Sequence, residues 1–325
     1  MSSKQISLIF HGNCIDGWFS AYIIYRSWIQ VTTNIAFYPI SPNLAHTWPS
    51  LEQVTGTEII MTDVSVPEET MVAWKSVAAS FYCIDHHASS KDLMSSMSCC
   101  LHDTGACATY LVWQVMHPGL PIPEWVKQID RIDRWDNVTE DDRAMREILH
   151  QIALMPVKGC VADAICNSQI YILANDLATL GDPIQLNGMR HDGMIALREK
   201  EVRLANILER GSSITITKSI ADVWQIPESW IDKTGFVIDT TGIILDSTEA
   251  GFLAFKQNES AEFFINYRVK DYFNRRTQLL ERTYIYSARA REGFDLTSYS
   301  LFAGHPCSAG ASFKSVGVPA PFVSV

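Results

Sequence analysis

Three short apolar segments in the first third of the chain each run directly into a histidine or an aspartate. The segments are residues 6–10, 58–62 and 81–84, and they lead into His11, Asp63 and the tripeptide Asp85-His86-His87. Runs of this length and composition are typical of buried strands. Because the carboxyl ends of parallel strands meet at one edge of a sheet, we expect these polar side chains to lie close together.

Strands and helices are predicted to alternate over about the first 120 residues, which favours a mainly parallel sheet flanked by helices. After Gly211 the pattern changes. Strands are then predicted at residues 214–217, 221–224, 236–238, 262–267 and 283–286, with a helix at 242–255. Before Gly211, a further helix is predicted at 160–180. We therefore predict an α/β fold with a second, smaller α+β domain. The expected boundaries are 1–185 for the first domain, 186–211 for a connecting helix and 212–325 for the second domain.

The composition excludes several classes of protein. A net charge of −10 argues against a surface that binds long duplex nucleic acid. No apolar run is long enough to cross a bilayer, and the N-terminus resembles no secretory leader, so we expect a soluble protein with no membrane partner. Eight cysteines without a CxxC pair predict reduced thiols and a cytoplasmic location.

The polar residues at the strand ends predict a metal site, because clustered carboxylates repel one another unless a cation lies between them. The candidate ligands are His11, Asp16, Asp63, His86 and one aspartate among Asp130, Asp133 and Asp136. The spacing before Trp135 favours Asp133. Histidine and aspartate ligands without cysteine favour Mn²⁺ over a structural Zn²⁺. Two such ions can activate a water and neutralise the charge that grows on a phosphoryl group.

Taken in order, these motifs resemble the four motifs of the DHH phosphoesterase superfamily. They are residues 11–17, Asp63, residues 85–87 and residues 133–135. Near the C-terminus, residues 304–310 (Gly-His-Pro-Cys-Ser-Ala-Gly) are similar to the signature of the DHH-associated substrate-binding domain. The segment 286–289 resembles the strand that precedes this signature and carries a substrate-binding arginine.

The resemblance implies a role for each matching residue. The implied metal ligands, for two Mn²⁺ ions or for Mg²⁺ or Co²⁺ in their place, are His11, Asp16, Asp63, His86 and Asp133. Asp63 would bridge the two ions, and His87 would contact the scissile phosphate. Asp85 is expected to orient His86 or a neighbouring loop. The residues implied to hold the phosphate or the terminal nucleotide of the substrate are Arg289, Gly304 and His305.

One position departs from the family pattern. Many members carry two aspartates in the first motif, and here Cys14 stands where the first would be. The replacement of this aspartate by Cys14 is expected to change the affinity for the second metal ion. Hydrolytic activity is still expected.

The implied function is Mn²⁺-dependent hydrolysis of short oligonucleotides or cyclic (di)nucleotides by a metal-activated water, with the direction of any exonuclease cleavage left open. Two alternatives stay open as well: an inorganic pyrophosphatase or polyphosphatase, and a nucleotide-binding member without catalysis. Whether the chain forms a homo-oligomer is also open.

Overall fold

The computed structural model describes residues 5–12, 14–28, 34–42, 44–153, 183–274, 279–305, 307–315 and 320–322. The chain divides into two compact units, Met1–Leu197 and Arg198–Val325. A long helix, Pro183–Leu208, continues across this division.

The first unit contains a five-stranded sheet in which every strand pair is parallel. Its strands are β1 (Ile6–His11), β2 (Ile35–Ile40), β3 (Glu58–Thr62), β4 (Ser80–Asp85) and β5 (Cys100–His102). The strand order is β2-β1-β3-β4-β5. In this order the chain winds outward in both directions from the β1–β3 pair, and ligands of such sheets bind beyond the carboxyl ends of the strands at this switch point.

Helices follow the strands of the first unit. They are α1 (Ile15–Trp28), α2 (Leu51–Val54), α3 (Glu68–Val77), α4 (Lys91–Ser96), α5 (Ala108–Met116), α6 (Glu124–Arg134) and α7 (Glu140–Ala153), followed by α8 (Pro183–Leu208), which continues into the second unit. Leu8 and Phe10 of β1 are buried in one apolar cluster with Phe19 of α1. Ile9 of the same strand is buried in another cluster, with Trp74 of α3. A strand that is apolar on both faces in this way is typical of a parallel sheet covered by helices.

The second unit contains a six-stranded sheet of order β10-β11-β9-β8-β7-β6. The strands are β6 (Ser212–Thr215), β7 (Thr234–Asp239), β8 (Phe263–Asn274), β9 (Leu279–Ala290), β10 (Ala303–His305) and β11 (Ser308–Ser315). Only β7 and β8 pair in parallel among these described strands, and they are connected through the helix α10 (Ser247–Gln257). The predicted fold class, a helix-flanked parallel sheet with a second, smaller domain, is confirmed.

One sequence-based prediction in the second unit is wrong. Residues 221–224 alternate as a strand would, but they lie in the helix α9 (Lys218–Trp224). The Thr217 hydroxyl accepts a hydrogen bond from the Ile220 amide and caps this helix, and Gln225 ends it in a left-handed conformation. These two caps stabilise a short helix, although the local alternation of polar and apolar residues favours a strand.

Two further sequence-based expectations, the helix at 160–180 and a solvated turn at Arg275-Arg276, lie outside the described residues. Over the part of the chain that the structure describes, no helix is both long and apolar enough to cross a membrane.

An aromatic cluster around Trp230 forms the centre of the second unit's core. Trp230 is 1% exposed, and its ring lies 4.7 Å from that of Phe294 and 5.3 Å from that of Phe263, between centroids. Its indole nitrogen donates a hydrogen bond to the Ser298 hydroxyl at 2.9 Å. A large aromatic side chain that is both packed and hydrogen-bonded contributes strongly to stability.

We therefore expect Trp230→Ala to lower the free energy of unfolding by about 3–5 kcal/mol, because the substitution leaves a cavity among these rings. Urea denaturation of the full chain, followed by circular dichroism, measures this change. Val223→Ala is the control, since Val223 is 64% exposed on α9 and its truncation should change stability by less than about 0.5 kcal/mol. Equal midpoints for the two variants would contradict the assignment of Trp230 to the core.

Candidate metal centre

The polar residues that end the strands of the first unit meet at one edge of its sheet. His11 is the last residue of β1, Asp63 follows β3, and Asp85 is the last residue of β4. Because β1 pairs with β3 and β3 with β4, all parallel, these three ends are neighbours. Asp16, in the first turn of α1, and Asp133, on α6, bring their carboxylates to the same place.

His86 Nε2 is the point on which the carboxylates converge. It lies 3.6 Å from Asp16 Oδ2, 3.3 Å from Asp63 Oδ1 and 3.4 Å from Asp133 Oδ2. The His86 side chain is only 7% exposed, and its Nε2 has no hydrogen-bond partner within the described structure. A buried polar nitrogen without a hydrogen bond is costly unless another group binds it.

These distances are close to those between neighbouring ligands of one cation. Two donor atoms that each bind a metal at about 2.1 Å lie roughly 3.0–3.4 Å apart in octahedral or tetrahedral geometry. Burial and repulsion from Asp63 raise the pKa of Asp16 to about 6. Burial and repulsion from Asp16 likewise raise the pKa of Asp133. The carboxylates therefore compete for positive charge, and a divalent cation fits this donor set.

The two carboxylate oxygens of Asp63 point to different ligands of the cluster. Its Oδ1 lies near His86, while its Oδ2 lies 3.5 Å from His11 Nδ1. Burial alone would raise the pKa of Asp63, but its contacts with His11 and His86 hold the pKa well below its usual value. The backbone of Asp63 has φ 57°, a left-handed conformation that aspartate tolerates better than most residues. A carboxylate placed in this way can bridge two cations, which is the role that the family resemblance implies for Asp63.

Asp16 is held by the start of a neighbouring helix. Its Oδ2 accepts a hydrogen bond from the Ala108 amide and its Oδ1 one from the Thr109 amide, both at 2.7 Å. These are the first two residues of α5, whose unpaired amides attract negative charge. The carboxylate orientation is therefore fixed by the backbone.

Asp85 and His87 form a pair beside this cluster. The two side chains are joined by a hydrogen bond of 2.7 Å between Asp85 Oδ1 and His87 Nδ1. Asp85 Oδ1 also accepts from the His86 amide, and Asp85 Oδ2 accepts from the Ser90 hydroxyl. Burial alone would lower the pKa of His87, but the bond to Asp85 raises it to about 9. Asp85 thus orients the ring of His87. Its hydrogen bond with His86 is to the backbone amide and not to the ring.

Sequence reasoning missed three contributors to the site. Cys14, which stands where the family pattern has an aspartate, places its Sγ 2.7 Å from Asp63 Oδ2. A ring nitrogen of His102 lies 2.9 Å from the carbonyl oxygen of His87, and the Ser90 hydroxyl holds Asp85. The strand β5, which carries His102, has only three residues and leaves too short a pattern to be predicted. The H-x-x-C spacing of the first motif is the signal that could have identified Cys14.

Asp130 and Asp136, the two alternatives to Asp133, have other partners. Asp130 Oδ1 accepts from the Cys107 amide at 2.7 Å, and both oxygens of Asp130 accept from the Arg134 guanidinium at 2.9 Å. The Asp136 side chain is more than half exposed. Of the three aspartates, Asp133 is therefore the one that joins the cluster.

The predicted substrate-binding residues lie in the second unit. Arg289, on β9, directs its Nε and Nη2 to the Thr248 hydroxyl in the first turn of α10. Backbone register pairs Arg289 with Ser308 of β11, and Ser308 with His305 of β10. Arg289 and His305 thus occupy one row across three strands, with Gly304 next to that row on β10.

The approach of α1 to the end of β1 depends on a glycine. A Cβ atom built on Gly17 would lie 2.1 Å from the carbonyl oxygen of His11. We expect Gly17→Ala to displace His11 or α1 and to cost more than about 3 kcal/mol of stability, because overpacking against backbone is poorly relieved. Thermal denaturation, together with Mn²⁺ binding, measures the effect.

Gly188→Ala is the matched control. Gly188 lies in α8, and no atom is within 4 Å of the position that its Cβ would take. This variant should gain up to about 1 kcal/mol from helix propensity. A Gly17→Ala protein with the wild-type melting temperature and Mn²⁺ affinity would show that the close approach is not required.

No family model matches the sequence. Among curated proteins, the uncharacterized protein R106 of Acanthamoeba polyphaga mimivirus is 26% identical over 141 residues, which cover 39% of this chain. The match covers 33% of R106, so this chain spans about a third of the length of the curated relative that it matches.

Solved structures resemble the whole chain. An exopolyphosphatase-related protein from Bacteroides fragilis has a TM-score of 0.50 at 12% identity, covering 97% of this chain and 88% of that one. An uncharacterized protein from Helicobacter pylori G27 has a TM-score of 0.46 at 16% identity, covering 95% and 93%. RecJ from Thermus thermophilus, in complex with Mg²⁺, has a TM-score of 0.38 at 12% identity, covering 96% and 47%. At 12% identity, the similarity to the Bacteroides protein shows a shared fold and nothing more.

Proposed function

We propose that this chain is a divalent-metal-dependent phosphodiesterase of the DHH superfamily, with Mn²⁺ as its main cofactor. Its proposed substrates are short oligonucleotides or cyclic (di)nucleotides. The first unit would carry out the hydrolysis and the second would bind the substrate. The shared fold with a protein described as exopolyphosphatase-related supports chemistry at phosphorus.

The observation that carries the proposal is the environment of His86 Nε2. This buried nitrogen has no hydrogen bond within the described residues and is surrounded by oxygens of Asp16, Asp63 and Asp133 at 3.3–3.6 Å. A structural core would pair such groups with donors, whereas a site for a hard cation gathers acceptors. The cluster also lies at the switch point of the sheet, where this fold class binds ligands.

The residues of the chain have separable roles. His11, Asp16, Asp63, His86 and Asp133 would hold the cations. When bound, divalent cations supply an activated water and neutralise charge on the phosphate. His87 keeps a proton on its imidazole, because Asp85 accepts from Nδ1, and this positive ring can stabilise a phosphate oxygen. Asp16, bound by α5, keeps its orientation without the cation.

In the second unit, Arg289 is proposed to bind a phosphate of the substrate. Thr248 holds its guanidinium, so little conformational entropy is lost when an anion binds. The row that contains Arg289 and His305 would align these contacts along the sheet.

A panel of substrates with metal-free and Mn²⁺-loaded protein tests the proposal. The panel contains the dinucleotide pApA, a cyclic dinucleotide, pyrophosphate, polyphosphate and duplex DNA, and products are resolved by length. We expect mononucleotides from pApA or the cyclic dinucleotide only when Mn²⁺ is present. No cleavage of any phosphodiester under these conditions would refute the proposal.

The same panel decides between the alternatives. The likeness to an exopolyphosphatase-related protein favours a pyrophosphatase or polyphosphatase as the second candidate. Phosphate released only from pyrophosphate or polyphosphate would establish that activity. Binding of pApA without cleavage of any substrate would establish a non-catalytic nucleotide-binding protein.

A further inference from the structure

The donor atoms of the metal centre form three groups, and within each group they lie within 4.8 Å of one another. The first group is His11, Cys14 and Asp63, the second is Asp63, His86 and His87, and the third is Asp16, His86 and Asp133. The first group shares only Asp63 with the others, and it alone includes a sulfur atom.

Cys14 is positioned as a member of the first group. Its thiol donates a hydrogen bond to Asp63 Oδ2 at 2.7 Å, and its Sγ accepts one from the Gly17 amide at 3.1 Å. The Gly17 amide belongs to the first turn of α1, so the start of that helix fixes the sulfur. A cysteine that served only for packing would face apolar side chains, whereas this sulfur faces a carboxylate and lies close to His11.

An independent observation indicates that this cluster binds cations. The unpartnered, 93% buried imidazole of His86 points at three carboxylates on the other side of Asp63. The sulfur therefore lies next to a group of ligand atoms in which the buried His86 Nε2 has no hydrogen bond among the described residues.

We infer that Cys14 is a metal ligand and that the position formed by His11, Cys14 and Asp63 takes a thiophilic divalent cation, Zn²⁺ above all. The position around His86 has only nitrogen and oxygen donors and takes Mn²⁺ or Mg²⁺. This inference rests on the proposed metal centre, but it does not depend on which phosphate compound is hydrolysed.

The chemistry of the donors supports this division. Thiolate and imidazole are preferred ligands of Zn²⁺, whereas Mg²⁺ and Mn²⁺ favour oxygen donors. The 3.5 Å between His11 Nδ1 and Asp63 Oδ2 agrees with the edge of a tetrahedron with bonds of about 2.1 Å, close to 3.4 Å. When the cation binds, the Sγ–H bond breaks, its proton goes to solvent, and a sulfur lone pair forms the bond to the metal. The step requires no oxidant.

X-ray absorption at the zinc edge tests the inference directly on the full chain. Protein stripped of metal is loaded with one equivalent of Zn²⁺. We expect a sulfur shell at about 2.3 Å with nitrogen or oxygen neighbours at about 2.0–2.1 Å. A zinc environment of nitrogen and oxygen alone in the wild-type protein would overturn the inference, and this result needs no variant to fold.

Co²⁺ titration of variants assigns the sulfur. The wild-type protein should show a thiolate-to-cobalt charge-transfer band in the near-ultraviolet, and both Cys14→Ser and Cys14→Asp should lack it. Cys307→Ser, at an exposed position of the second unit, should keep it. In Cys14→Asp, which supplies an oxygen donor, the ratio of Zn²⁺ to Mn²⁺ affinity should fall at least about tenfold. A band that persists in both Cys14 variants would overturn the inference.

These outcomes separate the inference from the proposed function. A zinc–sulfur shell in a protein that cleaves no phosphodiester would support the Cys14 ligand and refute the phosphodiesterase. Mn²⁺-dependent cleavage by a protein whose zinc has no sulfur neighbour would do the reverse, and Cys14 would then be a thiol that donates to Asp63.

Discussion

Asp63→Asn is expected to abolish Mn²⁺-dependent hydrolysis of pApA, with a loss of at least about a thousandfold in kcat/KM, or about 4 kcal/mol of transition-state stabilisation. The reason is geometric. Asp63 presents one oxygen to His86 and the other to His11, so its charge serves both halves of the centre. Asparagine tolerates the left-handed backbone at φ 57°, and the fold should therefore be kept.

Mn²⁺ binding by calorimetry, measured together with the kinetics, shows whether the loss originates in the metal. The affinity should fall at least about a hundredfold. Asp136→Asn is the control, because Asp136 is close in sequence to Asp133 but its side chain is more than half exposed. An Asp63→Asn protein with wild-type Mn²⁺ affinity would contradict the bridging role.

His87→Ala is expected to lower kcat by about 10²–10⁴ while Mn²⁺ binding changes little, since a positioned proton donor or charge stabiliser typically contributes this much. His87 takes its orientation from Asp85 at 2.7 Å, so Asp85→Asn should cost about 10–100-fold in kcat. Steady-state kinetics with saturating Mn²⁺ measures both effects.

The control for His87 is His46→Ala, because His46 is an exposed histidine that belongs to none of the four motifs. The double variant Asp85→Asn/His87→Ala should be no slower than His87→Ala alone, since Asp85 acts through the ring. If the two losses multiplied, Asp85 would have a role of its own. If His87→Ala lost Mn²⁺ affinity in proportion to activity, His87 would be a ligand.

The sequence predicts the location of the site well, because three of its residues follow strands. His11, Asp63 and Asp85 need only the strand positions and a parallel sheet to be brought together. Asp133 is harder to predict, since it lies on a helix with two other aspartates nearby. Only the structure shows that Asp130 is bound by Cys107 and Arg134 and so leaves Asp133 to the cluster.

Features that depend on contacts between residues far apart in the chain cannot be predicted from the sequence. The amides that bind Asp16 are those of Ala108 and Thr109, which lie 92 and 93 positions later in the chain. No local sequence pattern predicts this contact. The family pattern indicates only that Cys14 replaces an aspartate, and the hydrogen bond from its thiol to Asp63 is shown by the structure alone. In the second unit, alternation at residues 221–224 predicted a strand, but the cap at Thr217 stabilises a helix instead.

The two hydrogen bonds from the start of α5 to the Asp16 carboxylate have a consequence for cation binding. Two amides at the positive end of that helix fix both carboxylate oxygens before any cation arrives. Little conformational entropy would therefore be lost at this ligand on metal binding. A change that displaced the start of α5 would weaken metal binding although α5 itself contributes no ligand.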